Sequence, residues 1–186
     1  MKGNYKLVLM LFCFAAFLSL FITSTETKAQ GNDYPNLDRD SIISAAREII
    51  SSVKYCALIT IDSTGTANVR TMNPFPPEED MTVWMATSSV TRKYDEIKKN
   101  PNVTLYYANH AAVDGYVTIT GKAVLVDDMA EKLKRKRAYW DQAFPDWKYL
   151  ILIKVIPERV EVINYKHQMN NASANWRAPF TDFKKP

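Results

Sequence analysis

Beyond residue 37, the apolar positions of the chain recur with two different periods. Across residues 38–53 they recur every three or four positions, which predicts one amphipathic helix. Short runs rich in β-branched and aromatic residues follow, and such runs predict β-strands. The predicted strands cover residues 55–61, 66–72, 81–87, 102–108, 116–126, 149–156 and 159–165.

Turn residues and helix caps separate these runs. Asp62-Ser63-Thr64-Gly65 predicts a hairpin turn between the first two strands. The proline-rich segment 73–80 cannot continue a central strand, because proline lacks the N–H group that a sheet requires. Two more helices are predicted, over residues 88–100 and 127–140, since hydroxyl and aspartate residues cap helix N-termini. We therefore expect a mainly β fold, an antiparallel and nearly closed barrel of about seven strands with about three peripheral helices.

The first 29 residues have the composition of a secretory signal peptide. Lys2 and Lys6 precede an apolar run at residues 7–22, and Thr27-Lys28-Ala29 offers small residues before a cleavage site. The run has about 16 residues, fewer than the roughly 20 that a membrane-spanning helix needs. We therefore expect cleavage and export to the periplasm or the extracellular space, with no stable membrane span in the mature protein.

Cleavage after Ala29 leaves 157 of the 186 residues, enough for one domain with one hydrophobic core. We assign a polar entry segment to residues 30–37, the domain to 38–165 and a C-terminal tail without clear period to 166–186. The net charge falls from +4 to about +2, which gives no basic field for nucleic acid. A basic run at 132–137 is interpreted as the solvated face of a helix.

One strand is followed by hydroxyl residues and then directly by two cations, Arg92 and Lys93. A helix N-terminus carries partial positive charge and unbonded N–H groups, so cations there are unfavourable unless an anion offsets them. A bound phosphate would supply that anion. The alternative is a helix with ordinary surface cations, in which Lys93 pairs with an acid such as Glu96. Arg70, at the end of the second strand, is a further cation that we expect to point to the same place.

These segments, in this order, resemble the FMN-binding split barrels of the pyridoxamine 5′-phosphate oxidase superfamily, and its general-stress-protein branch in particular. The resemblance covers roughly residues 43–165, and the order and spacing of the segments make it specific. The matching segments are Asn68-Val69-Arg70-Thr71-Met72, Ala86-Thr87, Thr91-Arg92-Lys93 and residues 100–103, 115–123 and 156–160.

The resemblance implies a homodimer with two FMN molecules in grooves between the subunits. The three cations would hold the FMN phosphate, the hydroxyl pair after the third strand would contact the ribityl phosphate region, and backbone at residues 71–72 would face the ring. Two residues of the partner subunit would contact the ring from the other side. The expected cofactor contacts are Arg70, Thr71, Met72, Thr87, Ser88, Arg92 and Lys93, with Tyr116 and Thr118 from the partner.

By this resemblance, the mature protein is expected to be a flavoprotein, with a leaning towards an FMN-dependent oxidoreductase. The flavin would carry hydride or electron transfer to a small-molecule substrate or from an electron donor, and no side chain is assigned as a catalytic acid or base. His110 and His167 have no partners at metal-ligand spacing, so no metal site is predicted. The alternative is a non-catalytic exported protein that sequesters or senses a flavin or haem; haem and deazaflavin are the alternative cofactors.

Overall fold

The computed structural model describes residues 37–172 and 175–183. The predicted signal peptide at residues 1–29 lies outside the described residues, as does most of the polar entry segment. Within the described residues, no helix is long and apolar enough to cross a membrane.

Strands dominate the secondary structure, as the sequence predicts. The helices are α1 (Arg39–Ser52), α2 (Arg92–Lys99), α3 (Met129–Lys134) and α4 (Trp140–Ala143). The strands are β1 (Cys56–Ile61), β2 (Ala67–Met72), β3 (Val83–Ser88), β4 (Asn102–Ala108), β5 (Gly115–Val126), β6 (Leu150–Asn164) and β7 (Phe180–Asp182). Short 3₁₀ helices at Trp147–Tyr149 and Tyr165–His167 flank β6.

The seven strands form one antiparallel sheet that curls into a half-barrel. The strand order is β2-β1-β4-β5-β6-β3, and β7 adds to β6. The path therefore ends at β2 on one side and at β3 on the other, and among the described residues these two end strands do not pair. This confirms the predicted antiparallel split barrel and leaves an open edge between β2 and the element that follows β3, which is α2.

Helix α1 fills the concave side of the sheet. Asp38 caps it by accepting a hydrogen bond from the Ser41 N–H at 2.7 Å, so the helix begins where the sequence predicts. Its apolar face, including Ile42, Ala46 and Ile49, is buried against strand residues in one continuous hydrophobic cluster. The helix thus supplies the core that a half-barrel cannot make alone.

Strand β6 corrects the prediction of two strands separated at Pro157. It is a single strand of 15 residues, in which Pro157 lies opposite Gly121 of β5 at a register shift between Thr120 and Gly121. The irregularity accommodates a residue that cannot donate to the ladder. Gly121 is required there, because an added Cβ would lie 2.0 Å from the carbonyl oxygen of Ile156.

The C-terminal segment also differs from the prediction, because it contributes β7 to the sheet. Arg159 of β6 donates to both carboxylate oxygens of Asp182, at 2.6 and 3.0 Å, and its guanidinium lies 4.1 Å from the centre of the Phe180 ring. Backbone pairing with β6 and these side-chain contacts hold the strand, and its three residues are too few to show a period in the sequence.

The helix predicted over residues 127–140 is two short helices, and only Lys134 and Lys136 of its basic run are solvent-exposed. Lys132 is buried and pairs with Asp127. Arg135 lies 3.7 Å from the centre of the Trp84 ring, and Arg137 makes the same kind of contact with Phe75 at 3.9 Å. These cations anchor the α3–α4 region on aromatic rings.

We predict that Gly121→Ala lowers the free energy of unfolding by about 3 kcal/mol, since the new methyl group collides with backbone. Gly65→Ala is the control, because nothing lies within 4 Å of its added Cβ and only its φ of 85° disfavours alanine. That cost is about 1 kcal/mol. Urea denaturation of both variants measures the difference, and equal losses would contradict the close contact.

Candidate functional site

A single buried carboxylate, that of Glu96 on α2, lies at the open edge of the half-barrel. Its Oε2 atom accepts from Arg70 Nη2 at 2.6 Å and from Thr60 Oγ1 at 2.5 Å. Its Oε1 atom lies 3.1 Å from Nε of Arg92, one helical turn earlier. The Glu96 side chain is only 5% exposed, so one shielded anion joins strand β2 to helix α2.

The local fold brings these groups together from three elements. Thr60 lies on the buried side of β1, and its hydroxyl also accepts from Arg70 Nη1 at 2.5 Å. Arg70 lies on β2 opposite Leu58 of β1, so its side chain points to the inner side of the sheet. Arg92 additionally donates to Asn68 Oδ1 at 3.0 Å. Arg70 is therefore held in place beside α2, whereas the Arg92 side chain is 73% exposed and makes its contacts at the surface.

Burial works to raise the pKa of Glu96, but hydrogen bonds from Thr60 and Arg70, with the charges of Arg70 and Arg92, outweigh it. The pKa of this carboxyl group therefore lies below its ordinary value of 4.5. Glu96 is ionised throughout the neutral range.

Lys93 lies beside this cluster without a carboxylate of its own. Its ammonium group donates to Thr87 Oγ1 at 3.3 Å, and Thr87 in turn lies 3.2 Å from the Thr91 hydroxyl. Burial and the nearby charge of Arg70 lower the pKa of Lys93, although Glu96 partly opposes them. Within the described residues Lys93 forms no ion pair, so the alternative in which it pairs with Glu96 is not observed: Glu96 pairs with the two arginines.

The charges and donors at this point fit a phosphate group. Arg70, Arg92 and Lys93 against Glu96 leave a net charge of +2, which matches a phosphate monoester of about −1.5 to −2 at neutral pH. Thr91, the N-cap of α2, donates to the Ser88 carbonyl at 2.7 Å, and its side chain accepts no hydrogen bond from the helix N–H groups. The Tyr94 N–H donates to the Thr91 carbonyl at 3.0 Å, so the N–H groups of Arg92 and Lys93 are left for an external acceptor. We call these four charged residues, with Thr87, the cationic cluster.

The remaining predicted site residues lie near this cluster or on the other side of the sheet. Met72 is buried on the inner side of β2, whereas Thr71 points to the outer face, which we define as the side turned away from α1. Ser88 ends β3, next to Thr87. Tyr116 and Thr118 are on the outer face of β5, and β5 is separated from β2 by β1 and β4.

Register places Thr118 and Thr71 in one row across the outer face. Thr118 lies opposite Tyr106, Tyr106 opposite Ala57, and Ala57 opposite Thr71. Three strand spacings separate the ends of this row, about 14 Å. Within one chain, Tyr116 and Thr118 are therefore not part of the cationic cluster, and their expected contact from a partner subunit stays a prediction.

Sequence reasoning missed Thr60 and Asn68, and it assigned no functional role to Glu96. Thr60 occupies a buried position in the alternating pattern of β1, and an unexplained polar residue there is the feature that indicates a buried partner. Glu96 follows Arg92 at the four-residue spacing that favours ion pairs on a helix. No pattern within one strand predicts that Arg70 reaches the same carboxylate.

The described residues offer no arrangement for metal or thiol chemistry. Among them, no group of three or more His, Cys, Asp and Glu side chains is placed to hold a metal ion. Burial raises the pKa of Cys56 to about 12, despite its contact with Tyr107, so the thiol is uncharged at neutral pH. Cys56 is thus a buried, unreactive cysteine.

Comparisons with known proteins agree with this architecture. A family model described as "Pyridoxamine 5′-phosphate oxidase like" matches residues 42–175. General stress protein 26 of Bacillus subtilis (strain 168) is 28% identical over 136 residues, which cover 69% of this chain and 92% of that protein.

Solved structures share the half-barrel fold. A protein related to general stress protein 26 from Clostridium acetobutylicum gives a TM-score of 0.60 at 19% identity, covering 69% of this chain and 92% of that one. A pyridoxamine 5′-phosphate oxidase-related, FMN-binding protein from Nostoc punctiforme gives 0.52 at 17% identity, covering 79% and 97%. A haem-binding protein from Mycobacterium smegmatis gives 0.55 at 16% identity, covering 68% and 55%. Proteins of this fold thus include FMN-binding and haem-binding members.

We predict that Glu96→Gln lowers the free energy of unfolding at neutral pH by about 3 kcal/mol, because the largely buried guanidinium of Arg70 loses its counter-charge. Asp95→Asn, on the exposed side of the same helix, is the control and should cost less than about 1 kcal/mol. Urea denaturation of the two variants checks this. Equal effects would show that the carboxylate of Glu96 does not organise the cluster.

Acid should reduce the difference in the free energy of unfolding between wild type and Glu96→Gln. Since the pKa of Glu96 is depressed in the folded protein, the ionised carboxylate stabilises the fold above about pH 4.5, and this contribution is lost as pH falls through the folded pKa. The glutamine variant cannot titrate at this position. Unfolding free energies measured from neutral pH down to below 4.5 test the trend, and a difference independent of pH would refute it.

Proposed function

The chain belongs to the family of pyridoxamine 5′-phosphate oxidase-like proteins, and we propose that it is an exported flavoprotein that binds FMN. The observation that carries the proposal is the cationic cluster, whose net charge of +2, free helix amides and hydroxyl groups suit a phosphate monoester. Export rests on the composition of residues 1–29.

Arg70, Arg92 and Lys93 would hold the FMN phosphate, and Thr87 and Ser88 would contact the adjoining ribityl phosphate region. Glu96 and Thr60 orient Arg70, so the guanidinium is in place before a phosphate arrives and loses little side-chain entropy on binding. The backbone at residues 71–72 would face the flavin ring, because these residues directly follow Arg70 on β2 and the ring extends away from the phosphate. When bound, FMN supplies hydride or electron transfer.

The outer face supports a homodimer as the functional unit. Val69 is 65% exposed on this face, and the half-buried Ile59 of β1 lies directly opposite it. Tyr106 of β4 lies on the same face, two strands away and in the row of Thr71. An apolar sheet face of this kind is typical of a protein–protein contact. A second copy on this face would bring its own Tyr116 and Thr118 to the ring side of a flavin held near Arg70.

An oxidoreductase activity on a small molecule is the function that we favour for this flavoprotein. The protein would contribute the phosphate grip, the orientation of the ring and the exclusion of water, while the flavin carries the electrons. FMN is favoured over haem because the cluster concentrates its donors at one point, as a single phosphate requires.

We predict that Lys93→Gln weakens FMN binding about 10- to 100-fold, since a charge-assisted hydrogen bond is worth about 1.5 to 3 kcal/mol. Lys98→Gln, on the exposed last turn of α2, is the matched control and should leave the affinity unchanged. Titration with FMN, followed by quenching of its fluorescence, measures both affinities.

The same titration with riboflavin, which lacks the phosphate group of FMN, isolates the contribution of the phosphate. Wild type should bind FMN more tightly than riboflavin, and Lys93→Gln should reduce this difference without changing riboflavin affinity. If Lys93→Gln binds FMN with the same affinity as Lys98→Gln and wild type, the phosphate does not lie at the cationic cluster.

We further predict that Val69→Glu converts the protein to a monomer and weakens FMN binding, because a charge on the outer face opposes its burial in an interface. Val90→Glu, in the loop before α2 and 74% exposed, is the control that should remain a dimer. Sedimentation equilibrium reports the mass of each variant. A wild-type monomer, or a Val69→Glu dimer, would exclude this interface.

A further inference from the structure

A cavity of about 850 Å³ lies where β2 leads into the proline-rich segment. The end of α1 and the link to β1 form one wall, the proline-rich segment forms another, and the α3–α4 connection forms the third. This volume is within the range of small-molecule sites, about 300 to 1,000 Å³. Aromatic rings and prolines line much of it: Tyr55, Phe75, Tyr107, Tyr139, Pro74 and Pro76.

The charged residues of the cavity are all cations. Arg47, Lys54 and Arg137 line it, and none of the described lining residues is acidic. Arg47 donates to the carbonyls of residues 77–79 at 2.5 to 3.2 Å, and Arg137 to those of residues 73–74 at 2.7 and 3.2 Å. These neutral acceptors fix the cavity wall but leave the positive charges uncompensated.

Ion pairs confirm that these charges are unmatched. Across residues 37–172 and 175–183, no carboxylate forms an ion pair with Arg47, Lys54 or Arg137. Three unmatched cations on a largely apolar, concave surface produce a focused positive potential.

The cavity wall contains one buried polar group that is poorly satisfied. Tyr107 is 1% exposed and lines the cavity, and its hydroxyl contacts the thiol of Cys56, which is a weak hydrogen-bonding group. Since a poorly satisfied buried hydroxyl is costly, a ligand group that reaches it would relieve that cost.

We propose that this cavity binds a small aromatic carboxylate. Its anionic group would lie among Arg47, Lys54 and Arg137, its ring would contact Phe75 and Tyr139, and the Tyr107 hydroxyl would hydrogen-bond to it. The role of this ligand as the substrate of a bound flavin rests on the proposed function, whereas its binding does not. The two sites are adjacent, because Met72 is two residues, about 7 Å along β2, beyond Arg70 and directly precedes Asn73 of the cavity.

Calorimetric titration of the purified full chain with 2-naphthoate and 2-naphthamide tests the proposal, since the two probes differ in charge and not in shape. At low ionic strength, 2-naphthoate should bind at least 10-fold more tightly than 2-naphthamide. Lys54→Gln should reduce 2-naphthoate affinity about fivefold and leave 2-naphthamide unchanged. Lys98→Gln, an exposed lysine outside the cavity, is the matched control and should change neither.

Tyr107→Phe removes only the hydroxyl group and should weaken 2-naphthoate binding severalfold. Equal affinities for the two probes, no binding of either, or identical effects of Lys54→Gln and Lys98→Gln would overturn the proposal. Displacement of 2-naphthoate by FMN would overturn it as well, because the probe would then occupy the flavin site.

Repeating the titration in Lys93→Gln separates this inference from the proposed function. Retained 2-naphthoate binding with lost FMN affinity supports both sites. Binding of 2-naphthoate by a wild-type protein that takes up no FMN would support the cavity and refute the flavoprotein, and FMN uptake without 2-naphthoate binding would do the reverse.

Discussion

The open edge of this half-barrel depends on the ion pairs and hydrogen bonds of the buried Glu96 carboxylate. Strand β2 has β1 as its only described strand partner, so little else holds its far side. Through Arg70 and Thr60, one buried anion fastens β2 to β1 and to helix α2. Cations at a helix N-terminus are unfavourable by themselves, and Glu96 is the internal counter-charge that allows this helix to begin with them.

The same anion would set the balance of the proposed phosphate binding. Without it, three neighbouring cations would repel one another and Arg70 would lose its fixed orientation. With it, Glu96 opposes an incoming phosphate while the net charge remains favourable. The affinity for a phosphate would therefore reflect preorganised donors minus the repulsion of one buried carboxylate.

The sequence predicts the fold well because alternation and helical periodicity are local. Helix α1 and strands β1 to β5 lie within a few residues of their predicted positions. The sequence predicts two strands in place of β6, because proline usually ends a strand. The structure shows that Pro157 is tolerated because it lies opposite Gly121 at a register shift. The cations were visible in the sequence, yet their shared carboxylate was not, since Arg70 and Glu96 are 26 residues apart. The unmatched charges of the cavity arise in the same non-local way.

The visible absorption spectrum of the protein, after incubation with FMN and gel filtration, tests the phosphate site most directly. A phosphate held at the cationic cluster should retain about one flavin per chain, with flavin bands in the protein fraction. A protein fraction without flavin bands, or one purified with a haem band that FMN does not replace, would contradict the assignment of this cluster to the FMN phosphate.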